Sequence, residues 1–369
     1  MASTPLQQLI IERIHKEGPL TFAEYMRMAL YEPPYGYYVS GSARMGWEGD
    51  YYTSTDVSTF FAHCLARQLY QWWQKLGQPS PFIVLEQGAG RGELAQQVQN
   101  WAKQEAPDFN AVLTYHIEDI RLGQDANAPL PDAQKNAGML PTTPSVILSN
   151  ELIDAFPVHI VEVRDKRLYE SYIDVQDGHL CEILSEPSTA EVASYLDHYH
   201  IPWQTFPDGW RAEINLDALH WMKRTAHLLR RGFVLVIDYG DKARELYTPH
   251  RWRGTLTCYF NHQMNEHPLI RPGEQDITAH VNFTALIEEA RRHTLRLHKF
   301  TTQRLWLTEM GISEELAQKR KSEFAAADTE RATDRGQVAL LNWYNLRQRV
   351  AALTDPAGMG NFKVLILQR

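Results

Sequence analysis

Apolar residues recur at helical spacing through the first eighty positions, and the elements they predict are helices. Leu6, Leu9, Ile10 and Ile14 share one face after Thr4-Pro5, and Gly18 stops the run. Thr21-Phe22-Ala23-Glu24 is a capping box, which opens a short helix ending before Pro33-Pro34. From Asp56 onward, Phe60, Phe61, Cys64, Leu65, Leu69, Trp72, Trp73 and Leu76 predict a long helix that Gly77 and Pro79 end. Its aromatic stripe reads as core, because periodicity alone accounts for it. Tyr35-Gly36-Tyr37-Tyr38 and Gly46-Trp47-Glu48-Gly49-Asp50 read as aromatic, turn-rich segments.

The pattern then changes to strands alternating with helices. Phe82-Ile83-Val84-Leu85 is too short for a helix, and Leu94, Val98, Trp101 and Ala102 follow on one helical face. Further apolar runs lie at 114–117, 146–148 and 233–237. Continuous apolar strands of this kind suit a parallel sheet covered on both faces, so the fold class is α/β. An insertion interrupts the alternation: strands at 158–163 and 168–173 flank Arg164-Asp165-Lys166-Arg167, Asp177-Gly178 marks a turn, and an amphipathic helix spans 216–230. The chain thus divides into a helical N-terminal cap (1–78), a first half of the α/β domain (79–157), an inserted recognition region (158–230) and a second half (231–369).

Composition narrows the function classes. With 369 residues, 44% hydrophobic and 22% charged, the chain can bury a full-sized core. A net charge of -8 argues against a nucleic-acid partner, which calls for a basic face. Cys64, Cys181 and Cys258 are widely spaced, and the 15 histidines include no HExxH, so neither a disulfide framework nor a metal site is expected. No run approaches the ~18 apolar residues of a membrane span, and the N-terminus does not read as a secretory signal, so the cytoplasm is the expected location.

Candidate chemistry sits first at Glu86-Gln87-Gly88-Ala89-Gly90-Arg91-Gly92, between a strand and a helix. Glycines let the chain turn sharply and let a ligand lie against the main chain. A dinucleotide fingerprint needs glycine where Glu93 stands, and Gly-Lys-Ser/Thr of a P-loop is absent. Glu86 and Glu93 would repel a pyrophosphate at the helix start but stabilise the sulfonium and ammonium of S-adenosylmethionine. Glu118 ends the next strand, 118 − 88 = 30 residues after Gly88. It is either an acceptor for ribose hydroxyls or a solvent-facing strand-end acid.

A second segment, Ser149-Asn150-Glu151-Leu152-Ile153-Asp154, follows an apolar strand directly. Ligands bind beyond the carboxyl ends of such strands, so Asn150, Glu151 and Asp154 fall where a methyl acceptor would lie. If that acceptor is a guanidinium, paired carboxylates hold it by bidentate hydrogen bonds. Asp154 can equally be a helix cap or turn acid.

These blocks together resemble the MidA family, the group that includes a mitochondrial arginine methyltransferase of complex I assembly. The resemblance runs through 18–26, 35–38, 49–54, 86–92, 150–158, 237–240 and 272–283. It implies a class I methyltransferase fold, Rossmann-like, with a seven-stranded sheet whose last strand, at 362–367, is antiparallel. It implies a helical N-terminal cap and a β-rich insertion as well. It assigns catalysis to Glu151, Asp154 and Asp50, and S-adenosylmethionine binding to Glu86, Gly88, Gly90, Gly92, Glu118, Asn150 and Ser54. Asp50, Ser54 and Asp276 take a role from the resemblance alone. A protein substrate modified on arginine, such as a respiratory complex subunit, follows for the mitochondrial member. A small-molecule acceptor and a non-catalytic assembly factor with the same fold are the alternatives. Gln87 and Ala89 depart from the family's usual turn, and 121–144 is short for a third strand with its helix.

Overall fold

The computed structural model describes residues 4–40, 54, 58–120, 143–261, 263–329 and 334–369. Helices α1 (Pro5–Glu17) and α2 (Phe22–Tyr31) open the chain, separated by the two-residue strand β1 (Leu20–Thr21). The capping box forms: Thr21 Oγ1 accepts from the Glu24 amide while the Glu24 carboxylate accepts from the Thr21 amide. Helix α3 (Thr59–Lys75) follows, with Ser58 as its N-cap.

The α/β domain is built on β2 (Phe82–Gln87), β3 (Leu113–Glu118), β4 (Val146–Asn150) and β9 (Phe233–Asp238). All four are parallel where they pair. Strands Arg296–Thr302 (β10) and Lys363–Gln368 (β11) complete a mixed sheet ordered β10-β11-β9-β4-β2-β3. The last strand is antiparallel to both neighbours, as the resemblance implied. Six strands belong to this sheet among the described residues. Most of 121–144, where a further strand was sought, lies outside them.

Both faces of the sheet are covered, which is why its strands are apolar throughout. On one face α3 and helix α4 (Glu93–Glu105) pack against Phe82, Val84, Leu148 and Leu235, and Trp72 stacks on Phe233 with ring centres 4.5 Å apart. On the other lie α5 (Leu216–Leu228) and α6 (Phe283–Arg292). The sequence partition grouped α5 with the insertion, but its apolar side (Trp221, Met222, Ala226) belongs to this sheet's core.

The insertion forms a second antiparallel sheet from β5 (His159–Arg164), β6 (Arg167–Gln176), β7 (His179–Ser185) and β8 (Arg211–Ile214). Strand β1 of the cap pairs with β6, so cap and insertion are one unit. Their shared core joins Leu6, Ile10, Phe22 and Met26 to Ile160 and Ile173. It also takes in Cys258, Ile277 and Ala279 from a small later sheet in which Thr257–Phe260 pairs antiparallel with Asp276–Thr278, called the hairpin below. Two long helices not read from the sequence, α7 (Ile312–Thr329) and α8 (Asp334–Thr354), separate β10 from β11.

Candidate active site

A cleft of about 780 Å³ opens beyond the carboxyl ends of β2, β3 and β4, a size that suits a nucleotide-like ligand. Its floor is the glycine turn. Gly88, Gly90 and Gly92 have φ of 73°, 59° and 77°, a region that costs other residues ~1–2 kcal/mol each. A Cβ on Gly88 would come within 2.7 Å of Leu152 Cδ1. The amides of Gly88 and Ala89 donate to the Glu118 carbonyl at 2.8 and 3.2 Å. The Gly90 amide donates to the Asp119 carboxylate at 2.8 Å. Gln87 ties the edges together, donating to Glu118 at 2.9 Å and accepting from Trp221 Nε1 at 3.0 Å.

Glu86 lines this floor but is only 3% exposed. Burial raises its carboxyl to about 8, with the nearby Asp119 charge adding to the effect and a 3.0 Å hydrogen bond from Tyr115 opposing it. Glu86 is therefore not the standing negative charge that its place in the sequence suggests. In the protein without ligand it is mostly a neutral acid at pH 7.

The acidic segment splits across the two sides of a turn. Asn150 ends β4, nine-tenths buried, and lines the cleft; its Oδ1 is buried and accepts no hydrogen bond from the described residues. Glu151 also lines the cleft and sits at φ 51°, a strained conformation held by its amide bonding Ile237 O at 2.9 Å. Its Oε1 accepts from the Ser54 amide at 2.8 Å and from Asn150 Nδ2 at 3.2 Å. Ser54 itself is fully buried, its hydroxyl bonded to Gln303 Oε1 at 3.2 Å.

Asp154 faces the other way, on the single-turn helix Ile153–Ala155. Its side chain is buried and is not among those that line the cleft. Oδ2 accepts from the Tyr239 hydroxyl and Oδ1 has no partner. Burial lifts its carboxyl to about 6. Beside it, Asp238 accepts from the amides of Ile153 and Tyr239, both at 2.9 Å. Burial and the Asp154 charge push the Asp238 carboxyl well up. Asp276 is buried as well and accepts from the Tyr38 hydroxyl at 2.9 Å. Asp50 lies outside the described residues.

The structure therefore gathers Glu86, Gly88, Gly90, Glu118, Asn150 and Glu151 around one cleft. Sequence reading missed the wall opposite the glycines, which α2 and the following turn supply as Tyr31, Glu32 and Tyr38. The aromatic block at 35–38 was visible, but nothing local indicated that Tyr38 reaches Asp276.

A glycine turn between a parallel strand and a helix, with acids at the ends of the neighbouring strands, makes an α/β cleft suited to a cationic nucleoside. A family profile described as "Putative S-adenosyl-L-methionine-dependent methyltransferase" matches residues 64–301, and the chain belongs to that family. A solved Burkholderia thailandensis protein bound to S-adenosyl-homocysteine is similar over 99% of this chain and 92% of that one, with TM-score 0.81 and 27% identity. The mitochondrial protein arginine methyltransferase NDUFAF7 of Homo sapiens is 27% identical over 84% of this chain and 74% of its own length. The Drosophila melanogaster homologue is 28% identical over 73% of this chain, which spans 66% of that protein.

S-adenosylmethionine is the cofactor, and the residues present fit it. Gly88 lines the cleft at positive φ, buried Asn150 Oδ1 has no donor among the described residues, and acidic side chains predominate around the cleft. Gly88, Gly90, Asn150, Glu86 and Glu118, which all line the cleft, are the residues that would hold it. The cofactor supplies an electrophilic methyl group on a sulfonium. The chain's own part is to position an acceptor and exclude water.

Proposed function

We propose that this methyltransferase modifies arginine side chains of a protein substrate. The observation that carries the reading is Glu151: a carboxylate lining the cleft, with one oxygen fixed by Ser54 and Asn150 and its backbone held in a strained turn. A carboxylate clamped in this way orients a guanidinium by charge-assisted hydrogen bonds. The relatives named as protein arginine methyltransferases support the same acceptor. Asp154, behind the turn and bonded to Tyr239, acts in this reading by fixing the turn and not by touching the acceptor.

The test is transfer of radiolabelled methyl from S-adenosylmethionine into extract of cells lacking the protein, followed by mass spectrometry of the labelled residue. Label is expected in methylarginine, with Glu151→Gln lowering transfer ~100-fold or more, the scale of losing a charged positioning contact. Label recovered on a small molecule, or undiminished transfer by Glu151→Gln, defeats the proposal.

A further inference from the structure

The wall opposite the glycine turn is made by the N-terminal cap. Tyr31 ends α2, and its ring stacks on Tyr38 with centres 5.6 Å apart and planes 21° off parallel. Both hydroxyls are anchored: Tyr31 donates to Ala155 O at 2.8 Å and Tyr38 to Asp276 at 2.9 Å. Those bonds tie the pair to the segment carrying Glu151 and to the buried end of the hairpin. Glu32, next in the chain, lines the same cleft and forms no ion pair among the described residues.

Charge at the cleft points the same way. With Glu86 neutral and Arg27 and Asp217 paired with each other at 2.8 Å, five of the remaining charged residues lining the cleft are acidic and two are basic. A stacked aromatic pair and a carboxylate with no ion pair among the described residues converge on a planar cation that carries several N–H groups.

We infer that Tyr31, Tyr38 and Glu32 of the cap are the specificity-determining wall, selecting a guanidinium over a neutral acceptor. The inference rests on the arginine reading above and extends it to residues outside the methyltransferase domain. Asp276 enters as a positioning residue, holding Tyr38 without touching the acceptor.

The experiment measures binding, not methyl transfer, in full-length protein saturated with S-adenosylhomocysteine. Blocked arginine (Nα-acetyl-arginine methylamide), its neutral isostere blocked citrulline, and blocked lysine are titrated by NMR. Blocked arginine is expected to bind at least tenfold more tightly than citrulline. Glu32→Gln and Tyr38→Leu should each weaken it three- to thirtyfold and leave S-adenosylhomocysteine affinity within twofold. Equal binding of arginine and citrulline overturns the inference. So does unchanged arginine affinity in Glu32→Gln, the variant least disturbing to the fold. Methylarginine formed by a protein indifferent to these changes sinks the wall alone. Preference for blocked lysine, with no methylarginine formed, sinks the arginine reading and leaves a cation filter standing.

Discussion

Glu86 should make cofactor binding a proton-release reaction. Its carboxyl lies at about 8 against an ordinary 4.5, so charging it in the folded protein costs up to ~5 kcal/mol more than in water. At pH 7 roughly one molecule in ten is ionised. If the ligand's cation needs the carboxylate, apparent affinity is lowered about tenfold at pH 7 and about a hundredfold at pH 6. The dissociation constant should therefore fall about tenfold per unit from pH 6 to 7 and level off above 8. Stability runs the opposite way. The folded state retains a proton that the unfolded chain has lost, so the unliganded protein loses stability as pH rises from 4.5 to about 8. Calorimetric titrations at several pH values, in buffers of differing ionisation heat, read both the affinity and the protons released. About 0.9 proton per ligand is expected at pH 7, and Glu86→Gln should give a nearly flat profile. S-adenosylhomocysteine, which keeps the ammonium but lacks the sulfonium, shows which cation drives ionisation. An affinity independent of pH between 6 and 8, with no proton released, refutes the reasoning.

Three other substitutions test the frame around the site. Gly88→Ala places a methyl 2.7 Å from Leu152 Cδ1 at φ 73°; thermal unfolding should record a loss of ~1–2 kcal/mol, and cofactor affinity should drop at least tenfold. Gly232→Ala puts Cβ 1.9 Å from the Ser145 carbonyl oxygen, a backbone atom that cannot step aside, so urea unfolding should show a loss beyond ~3 kcal/mol. Tyr239→Phe removes the hydroxyl bonded to Asp154, whose Oδ1 already lacks a partner. Burial lifts the Asp154 carboxyl to about 6, so it is expected to hold its proton more at pH 5 than at pH 7. The deficit of Tyr239→Phe, ~1–3 kcal/mol at pH 7, should shrink at pH 5; a deficit equal at both would count against the assignment.

What the sequence revealed and what it hid divide along a physical line. The glycine turn was legible because its chemistry is local: three positions with positive φ, between an apolar strand and a helix. The capping box at Thr21 and the apolar strands were legible for the same reason. Glu151 and Asp154 stand three residues apart, and spacing alone could not tell that a single-turn helix sends one to the cleft and the other to Tyr239. Nor could it show that the Glu86 carboxyl is pushed up, since that depends on burial by strands distant in the chain. Helices α7 and α8 escaped because their apolar residues are scattered, leaving Val338, Leu341 and Tyr344 exposed.

The same division bears on how the two halves of the cleft respond to change. The cofactor floor is set by contacts within the main sheet: the Glu118 carbonyl and Asp119 carboxylate holding the turn, and Gln87 bridging to Trp221. The acceptor wall is set by contacts that span the chain, Tyr31 to Ala155 and Tyr38 to Asp276, within a core shared by cap, insertion and hairpin. Substitutions that loosen this second core shift the tyrosines before they reach the glycine turn. Acceptor recognition should then fail while cofactor binding persists, because the floor's hydrogen bonds do not pass through the cap. Arg27–Asp217 is one direct ion pair between α2 and α5 at the cleft, but both partners are substantially exposed, so it adds little to that coupling.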